Sequence, residues 1–216
     1  MIPENAYEAR RSFFNEHAQD WLDMWYKNQD TGEYNKFEKE FKRLFSLVPI
    51  ENGNHVLDVG CGSGVTANYI LEMISSNGVL YELDYAEKMI AENRRLNHDK
   101  RIHFVVSDII DLPLPPQTCD VIICFSCFPH FPEKEKALRA MKKVLKEKGW
   151  IAVAHFNSSE ELNNHHRKSN PAVRNDTLPS ENAVKQLFSS SGFMIDTFID
   201  EPGFYLLLAQ RSGLCK

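Results

Sequence analysis

The sequence predicts an α/β fold: a doubly wound, mostly parallel sheet whose last strand runs antiparallel, preceded by N-terminal helices. Three observations predict it. From His55 onward, short β-branched or apolar runs alternate with segments of helical periodicity. Three glycines in five positions, Gly60, Gly62 and Gly64, follow the first of those runs directly. Only "DEPG", residues 200–203, separates the last two runs, which is too short for a parallel crossover and makes them a hairpin.

The elements follow in order. Phe14, Ala18, Trp21, Leu22 and Trp25 recur on one helical face, and Tyr34, Phe37, Phe41, Leu44, Phe45 and Val48 on another, with "NQDTG" as the break between the two helical segments. Strands are expected at 56–59, 79–83, 102–106, 121–125 and 150–155, with helices over 65–75, 86–96 and 133–147. Residues 108–119 are proline-rich and read as loop. After His155 a polar stretch to Thr177 reads as a long connection, longer than a plain linker and of the kind that carries function. Pro179 and Ser180 then start a helix whose apolar face is Val184, Leu187 and Phe188 and whose stop is Gly192. The closing strands are 193–199 and 204–209.

A chain of 216 residues with 43% hydrophobic content suits one globular domain. No apolar run approaches the roughly 20 residues that span a bilayer, and "MIPENAYEARR" lacks a signal-peptide core, so a cytoplasmic protein is expected. Cys61, Cys119, Cys124, Cys127 and Cys215 are odd in number and read as reduced thiols. A formal charge of −5 disfavours a nucleic-acid partner. The densest basic run, Lys142, Lys143, Lys146 and Lys148, lies on a helix with its own apolar face and reads as solvated.

The glycine run bares the main chain where a strand ends in Asp58 and a helix begins near Val65. A ligand can approach there without meeting a Cβ, and the helix start offers free N–H donors to an anion. Asp84, 20 residues after Gly64 and at the end of the second strand, can accept from both hydroxyls of a ribose. Nicotinamide dinucleotides and S-adenosylmethionine both use that contact. The dinucleotide fingerprint places its third glycine three residues after the second, but here Gly64 follows Gly62 by two. Asp58 would repel a diphosphate and attract an ammonium or sulfonium.

On these residues the chain resembles the class I S-adenosylmethionine-dependent methyltransferases, with a domain like methyltransferase types 11 and 25. "LDVGCGSG" is similar to the family's first motif, "LYELDYAEKMI" to its second and "FVVSDIIDLPL" to its third. "CDVIICFSCFPHFPEKEKALRAMKKVLKEKGWIAVAH" resembles its fourth strand, following helix and fifth strand. The resemblance covers residues 54–156 and implies a seven-stranded Rossmann-like sheet. It implies S-adenosylmethionine as cofactor, held by Asp58, Gly60, Cys61, Gly62, Asp84, Tyr85, Met89, Asp108, Ile109 and Phe125. Asp58 would orient the ammonium, Asp84 the ribose, and Met89 and Asp108 the adenine. Cys61 counts there as a small packing residue, not a nucleophile. Glu82 departs from the family's small or apolar residue and reads as an acid near the strand end with solvent or a lysine as partner. The chain would divide into an N-terminal helical lid (1–50), a cofactor-binding core (54–156) and an acceptor-side segment with the C-terminal hairpin (157–216).

The reacting methyl is then expected near the carboxyl ends of the first and fourth strands. Cys124 and Cys127 form a CxxC without a second pair, so packing outweighs zinc. Phe125, Phe128 and Phe131 divide between core and substrate wall. Trp21, Trp25 and Tyr26 read first as core and second as part of a closing lid. His130, His155 and His166, after the fourth strand, ending the fifth and in the segment beyond, are the candidate catalytic residues. The favoured role is general base, with His165 able to replace His166; a three-histidine metal site is the alternative.

The function expected is methyl transfer to a small-molecule acceptor, with no nucleic acid or membrane as partner and with oligomeric state open. A nicotinamide oxidoreductase and an inactive methyltransferase-like binding module are the competing readings.

Overall fold

The computed structural model describes residues 4–213. Helices α1 (Glu4–His17), α2 (Trp21–Trp25) and α3 (Glu38–Leu47) precede the first strand. Strands β1 (His55–Val59), β2 (Val79–Asp84), β3 (Ile102–Val106) and β4 (Cys119–Phe125) are joined by α4 (Ala67–Ile74), α5 (Glu87–Leu96) and a 3-10 turn at Ile109–Asp111. Then come a second 3-10 turn at Phe128–His130, α6 (Lys134–Val144), β5 (Leu145–His155), α7 (Ser159–Lys168), α8 (Glu181–Ser190), β6 (Phe193–Glu201) and β7 (Phe204–Arg211).

The seven strands form one sheet of order β3-β2-β1-β4-β5-β7-β6. Only β7 is antiparallel, slotted between β5 and β6, as the short "DEPG" connection requires. Chain order reverses between β1 and β4, and that switch point opens a crevice at the strands' carboxyl ends. Both faces of the sheet are covered. Leu57, Val59, Ile122 and Cys124 pack with Leu138 and Met141 of α6 and Phe188 of α8. Val56, Leu80, Val121 and Ile123 pack with Phe41, Leu44 and Phe45 of α3 and with Ile70 and Ile74 of α4. This two-sided burial is why the strands read as near-continuous apolar runs.

Four segments differ from the sequence reading. The first helical face is broken: a turn at 18–20, with Asp20 N–H donating to His17 O at 3.2 Å, splits α1 from α2. Tyr34 is exposed and lies outside α3, whose buried face is Phe41, Leu44 and Phe45. The helix expected to 147 stops at Val144, because Leu145 pairs with Cys119 and a bulge follows, with Lys148 at φ 60°. Lys146 Nζ there reaches both oxygens of Asp120 at 2.8 Å, so this lysine serves an ion pair. The polar stretch after His155 holds α7, started by a reciprocal capping box between Ser158 and Glu161.

Candidate active site

The loop from Gly60 to Thr66 carries the chain from β1 to α4 over the crevice. Gly60, Gly62 and Gly64 all have positive φ. At Gly60 an added Cβ would stand 2.5 Å from Cys127 Cβ, so glycine is required for the β4 exit to approach the loop. At Gly62 an added Cβ would project toward Trp21 and Met89, both of which line the crevice, and would fill the cradle the loop leaves open.

A single pocket here gathers all ten residues expected at the cofactor: Asp58, Gly60, Cys61, Gly62, Asp84, Tyr85, Met89, Asp108, Ile109 and Phe125. Asp84 receives the Gly62 N–H on Oδ2 at 3.0 Å and the Ala86 N–H on Oδ1 at 2.8 Å. Each oxygen keeps a free lone pair for a hydroxyl. Burial pushes the Asp84 pKa up to about 6 against these N–H donors. Asp58 is buried deeper. Its Oδ2 accepts from the Thr66 hydroxyl, while Oδ1 has no partner among the described residues. Burial, with Asp84 adding to it and Thr66 opposing it, raises Asp58 to about 7.

An orphaned, buried carboxylate oxygen in a pocket wall suits a cationic ligand group, which would supply the missing partner. The open glycine cradle and the spare acceptors of Asp84 suit an aminoacyl group and a ribose. The donor set therefore fits S-adenosylmethionine. Asp108 accepts the Ile110 N–H at 2.9 Å, and it borders the same pocket with Tyr7 and Ile109.

Two sequence readings resolve at the loop. Cys61 is buried, and burial together with the neighbouring acids raises its thiol well above the ordinary range, which leaves a packing residue. Glu82 has neither solvent nor lysine. It is fully buried, accepts from Asn93 Nδ2 at 3.1 Å, and is pushed well up by burial and then by the Asp58 charge.

The aromatic and cysteine candidates also separate. Phe125 and Phe131 line the pocket, whereas Phe128 is core between Phe131 and Phe188. Cys124 packs its sulfur 3.6 Å from Met141 Sδ, and the Cys127 thiol donates to Val59 O at 2.9 Å. Trp21 and Tyr26 reach the pocket; Trp25 instead meets His165 edge-on at 5.8 Å.

Of the three histidines, only His130 borders the pocket. Its Nδ1 lies 2.8 Å from Asp176 Oδ2. Asp176 also receives Arg10 Nε at 2.9 Å on Oδ2 and Arg10 Nη2 at 2.6 Å on Oδ1. His166 is buried one layer back: its Nδ1 is 2.6 Å from the Asp176 carbonyl oxygen and its ring centroid 5.1 Å from that of His130. His155 does not reach the pocket. The alternation of β5 puts it with Ile151 and Val153 on the α6 side, 2% exposed against Tyr205, and burial lowers its pKa to about 3. Among the described residues no three His, Cys, Asp or Glu side chains gather as a metal-ligand set, so the three-histidine arrangement lacks its geometry. Nothing local in the sequence marks Arg10 and Asp176, partners 166 residues apart.

A model of the family described as "Methyltransferase domain" matches residues 50–192, well over half of the chain. The 27-O-demethylrifamycin SV methyltransferase of Amycolatopsis mediterranei is 29% identical over 119 residues, 53% of this chain and 43% of that protein. Phosphoethanolamine N-methyltransferase 1 of Arabidopsis thaliana is 27% identical over 176 residues, 78% of this chain and 34% of that one. The chain thus spans less than half the length of these curated relatives. In fold it is similar to an S-adenosylmethionine-dependent methyltransferase from Aquifex aeolicus, with a TM-score of 0.69 at 23% identity, covering 83% of this chain and 94% of the other. The glycine spacing that disfavours a dinucleotide agrees with these matches. The chain belongs to the class I S-adenosylmethionine-dependent methyltransferases.

Proposed function

We propose that this chain moves a methyl group from S-adenosylmethionine to a small-molecule acceptor, with His130 as the general base. The observation that carries the reading is the place of His130. It is the histidine on the wall of the pocket that holds the glycine loop, Asp58 and Asp84, its Nδ1 is engaged by Asp176, and its Nε2 has no partner among the described residues. When bound, S-adenosylmethionine supplies an electrophilic methyl on a sulfonium. The chain's residues supply the rest.

Asp58 and Asp84 would orient the cofactor through its ammonium and ribose, Tyr85, Met89, Asp108 and Ile109 would enclose the adenine, and Phe125 would close the remaining side. Phe14 and Trp21 from the N-terminal helices, with Phe131 and Pro132 after β4, keep water from the pocket and present an apolar wall to an acceptor. The segment 1–50 therefore acts as a cap on the core of 54–156. His130 Nε2 takes the proton that an oxygen, nitrogen or sulfur nucleophile loses as it is methylated. His166 supports it from behind, through Asp176.

The small-molecule acceptor draws support from the relatives, whose names specify a rifamycin and phosphoethanolamine, and from the acidic balance of −5. Among the described residues no helix is long and apolar enough to cross a membrane. The test is formation of S-adenosylhomocysteine on incubating the purified chain with S-adenosylmethionine and a panel of hydroxylated, amine and thiol small molecules. An acceptor whose turnover falls at least about tenfold in His130→Ala, with cofactor affinity kept, supports the reading. Full turnover in that variant removes the base role. Methylation confined to a nucleic acid removes the acceptor class.

A further inference from the structure

The long polar stretch after β5 has a use that the pocket itself does not require. Helix α7 pins the returning chain twice: Asn163 Oδ1 accepts the Leu178 N–H at 2.9 Å and Asn163 Nδ2 donates to Leu178 O at 3.0 Å. His166 Nδ1 donates to the carbonyl of Asp176 at 2.6 Å. What this clamp delivers is the Asp176 carboxylate, buried and pointed at His130.

We propose that Asp176 is a positioning residue that fixes the tautomer of His130, and that Arg10 of α1 fixes Asp176 in turn. This rests on His130 as base and deepens that reading. Asp176 Oδ2 accepts from Arg10 Nε and faces His130 Nδ1, and Oδ1 accepts from Arg10 Nη2, so a bidentate fork sets the plane of the carboxylate. Burial works against the charge on Asp176, but the hydrogen bonds from His130 and Arg10 outweigh it and hold the carboxyl below its usual range. An ionised carboxylate can only accept. His130 Nδ1 must therefore carry the hydrogen, which leaves the lone pair of the neutral ring on Nε2. The third support of the ring is the edge of Phe14, also from α1, at 5.4 Å. Docking of the N-terminal helix and orientation of the base are thereby one event: the same helix contributes the guanidinium that aligns Asp176 and the aromatic edge that holds the imidazole.

The experiment reads the proton on His130 directly, by two-bond 15N–1H correlation on the full chain labelled in its histidine rings, at a pH where the ring is neutral, with His130→Gln to assign the signals. In the unmodified chain, the neutral His130 should be the Nδ1–H tautomer. In Asp176→Asn the Arg10 fork and the imidazole face an amide that cannot accept on both atoms. The Nε2–H form should then rise from under about a tenth of the population to more than half. Nε2–H in the unmodified chain overturns the proposal. An unchanged Nδ1–H signal in Asp176→Asn, with a native amide spectrum, also overturns it. The readout is independent of methyl transfer: full turnover in His130→Ala removes the base while leaving the tautomer as measured, and a wrong tautomer removes Asp176 while leaving the His130→Ala loss.

Discussion

Gly62 N–H donates to Asp84 Oδ2 at 3.0 Å, a hydrogen bond that ties the middle of the glycine loop to the last residue of β2. The carboxylate proposed to accept from a ribose is thus also the post that holds the loop, and its other oxygen accepts the Ala86 N–H just ahead of α5.

Asp84→Ala therefore loses two things together. Hydrogen bonds to a charged group are worth roughly 1.5–3 kcal/mol each, so S-adenosylmethionine affinity should fall at least about tenfold, or ~1.4 kcal/mol. Asp84→Asn keeps one acceptor and should lose less. Calorimetric titration orders the three proteins; equal affinities across them would remove Asp84 from the ribose site.

The paired acids at the strand ends predict a proton linked to binding. Asp58 and Asp84 are raised to about 7 and about 6 from ordinary values near 4, mainly by burial. Folded, they hold protons that the unfolded chain releases, so their contribution to stability is largest below about pH 4 and declines as pH rises through 6 to 7. A cation placed at the orphaned Asp58 Oδ1 favours the ionised form. Binding of S-adenosylmethionine at pH 6.5 should then release protons, seen as a binding heat that varies with buffer ionisation enthalpy. Asp58→Asn should flatten that dependence, and a flat dependence in the unmodified chain would contradict the linkage.

Glu82 extends the argument beneath the loop. Its carboxyl is fully buried with Asn93 Nδ2 as donor, and burial and the Asp58 charge push it well up. A raised acid makes the folded state less stable as pH climbs, so at pH 8 the neutral Glu82→Gln should have a urea midpoint equal to or above that of the unmodified chain. Glu82→Ala removes the carboxylate acceptor of one Asn93 N–H and should cost about 1–3 kcal/mol. A lower midpoint for Glu82→Gln at pH 8 would mean that Glu82 is held ionised.

These contacts mark how far the sequence is legible. The strands, their order of appearance and the hairpin follow from periodicity, and the ten pocket residues expected at the cofactor follow from resemblance to the family's motifs, because each is written in neighbouring residues. The capping box Ser158–Glu161 was equally local, and it identifies α7 inside the polar stretch. His155 shows a different limit. A strand end gives two choices of face, and only the pairing of β5 with β4 and β7 decides between them. Arg10 and Asp176 are joined purely by tertiary structure, with no pattern in the chain to couple them.

Gly60 predicts a compensating pair. Its added Cβ would stand 2.5 Å from Cys127 Cβ, and its φ of 65° is strained for alanine. Gly60→Ala should cost about 1–3 kcal/mol of stability. Cys127→Gly removes the atom it would strike, so the double variant should be more stable than the sum of the single losses by at least about 0.5 kcal/mol. Additive losses would show that backbone strain at Gly60, not the approach of Cys127, sets the cost.

His155 yields the sharpest contrast with His130. It is 2% exposed, Nε2 has no partner among the described residues, and its pKa is lowered to about 3 by burial first and by His130 and His166 second. The unfolded chain takes up a proton near pH 6.5 that the folded one refuses, so the unfolded state binds more protons between the two values. Stability from this residue is complete above about pH 6.5 and is lost as pH falls toward 3, by at most about 1.4 kcal/mol per pH unit. This is opposite in sign to the effect of Asp58, Asp84 and Glu82, and replacing His155 with an uncharged side chain isolates it. His155→Gln keeps a polar tip and cannot ionise; its urea midpoint should fall less than that of the unmodified chain between pH 7 and pH 5. Because His155 packs on Tyr205 and is not among the residues that line the pocket, S-adenosylmethionine affinity should stay within about twofold. A His155→Gln protein with the same acid limb as the unmodified chain would show that the imidazole is charged where it lies. A large loss of cofactor affinity would place it at the pocket after all.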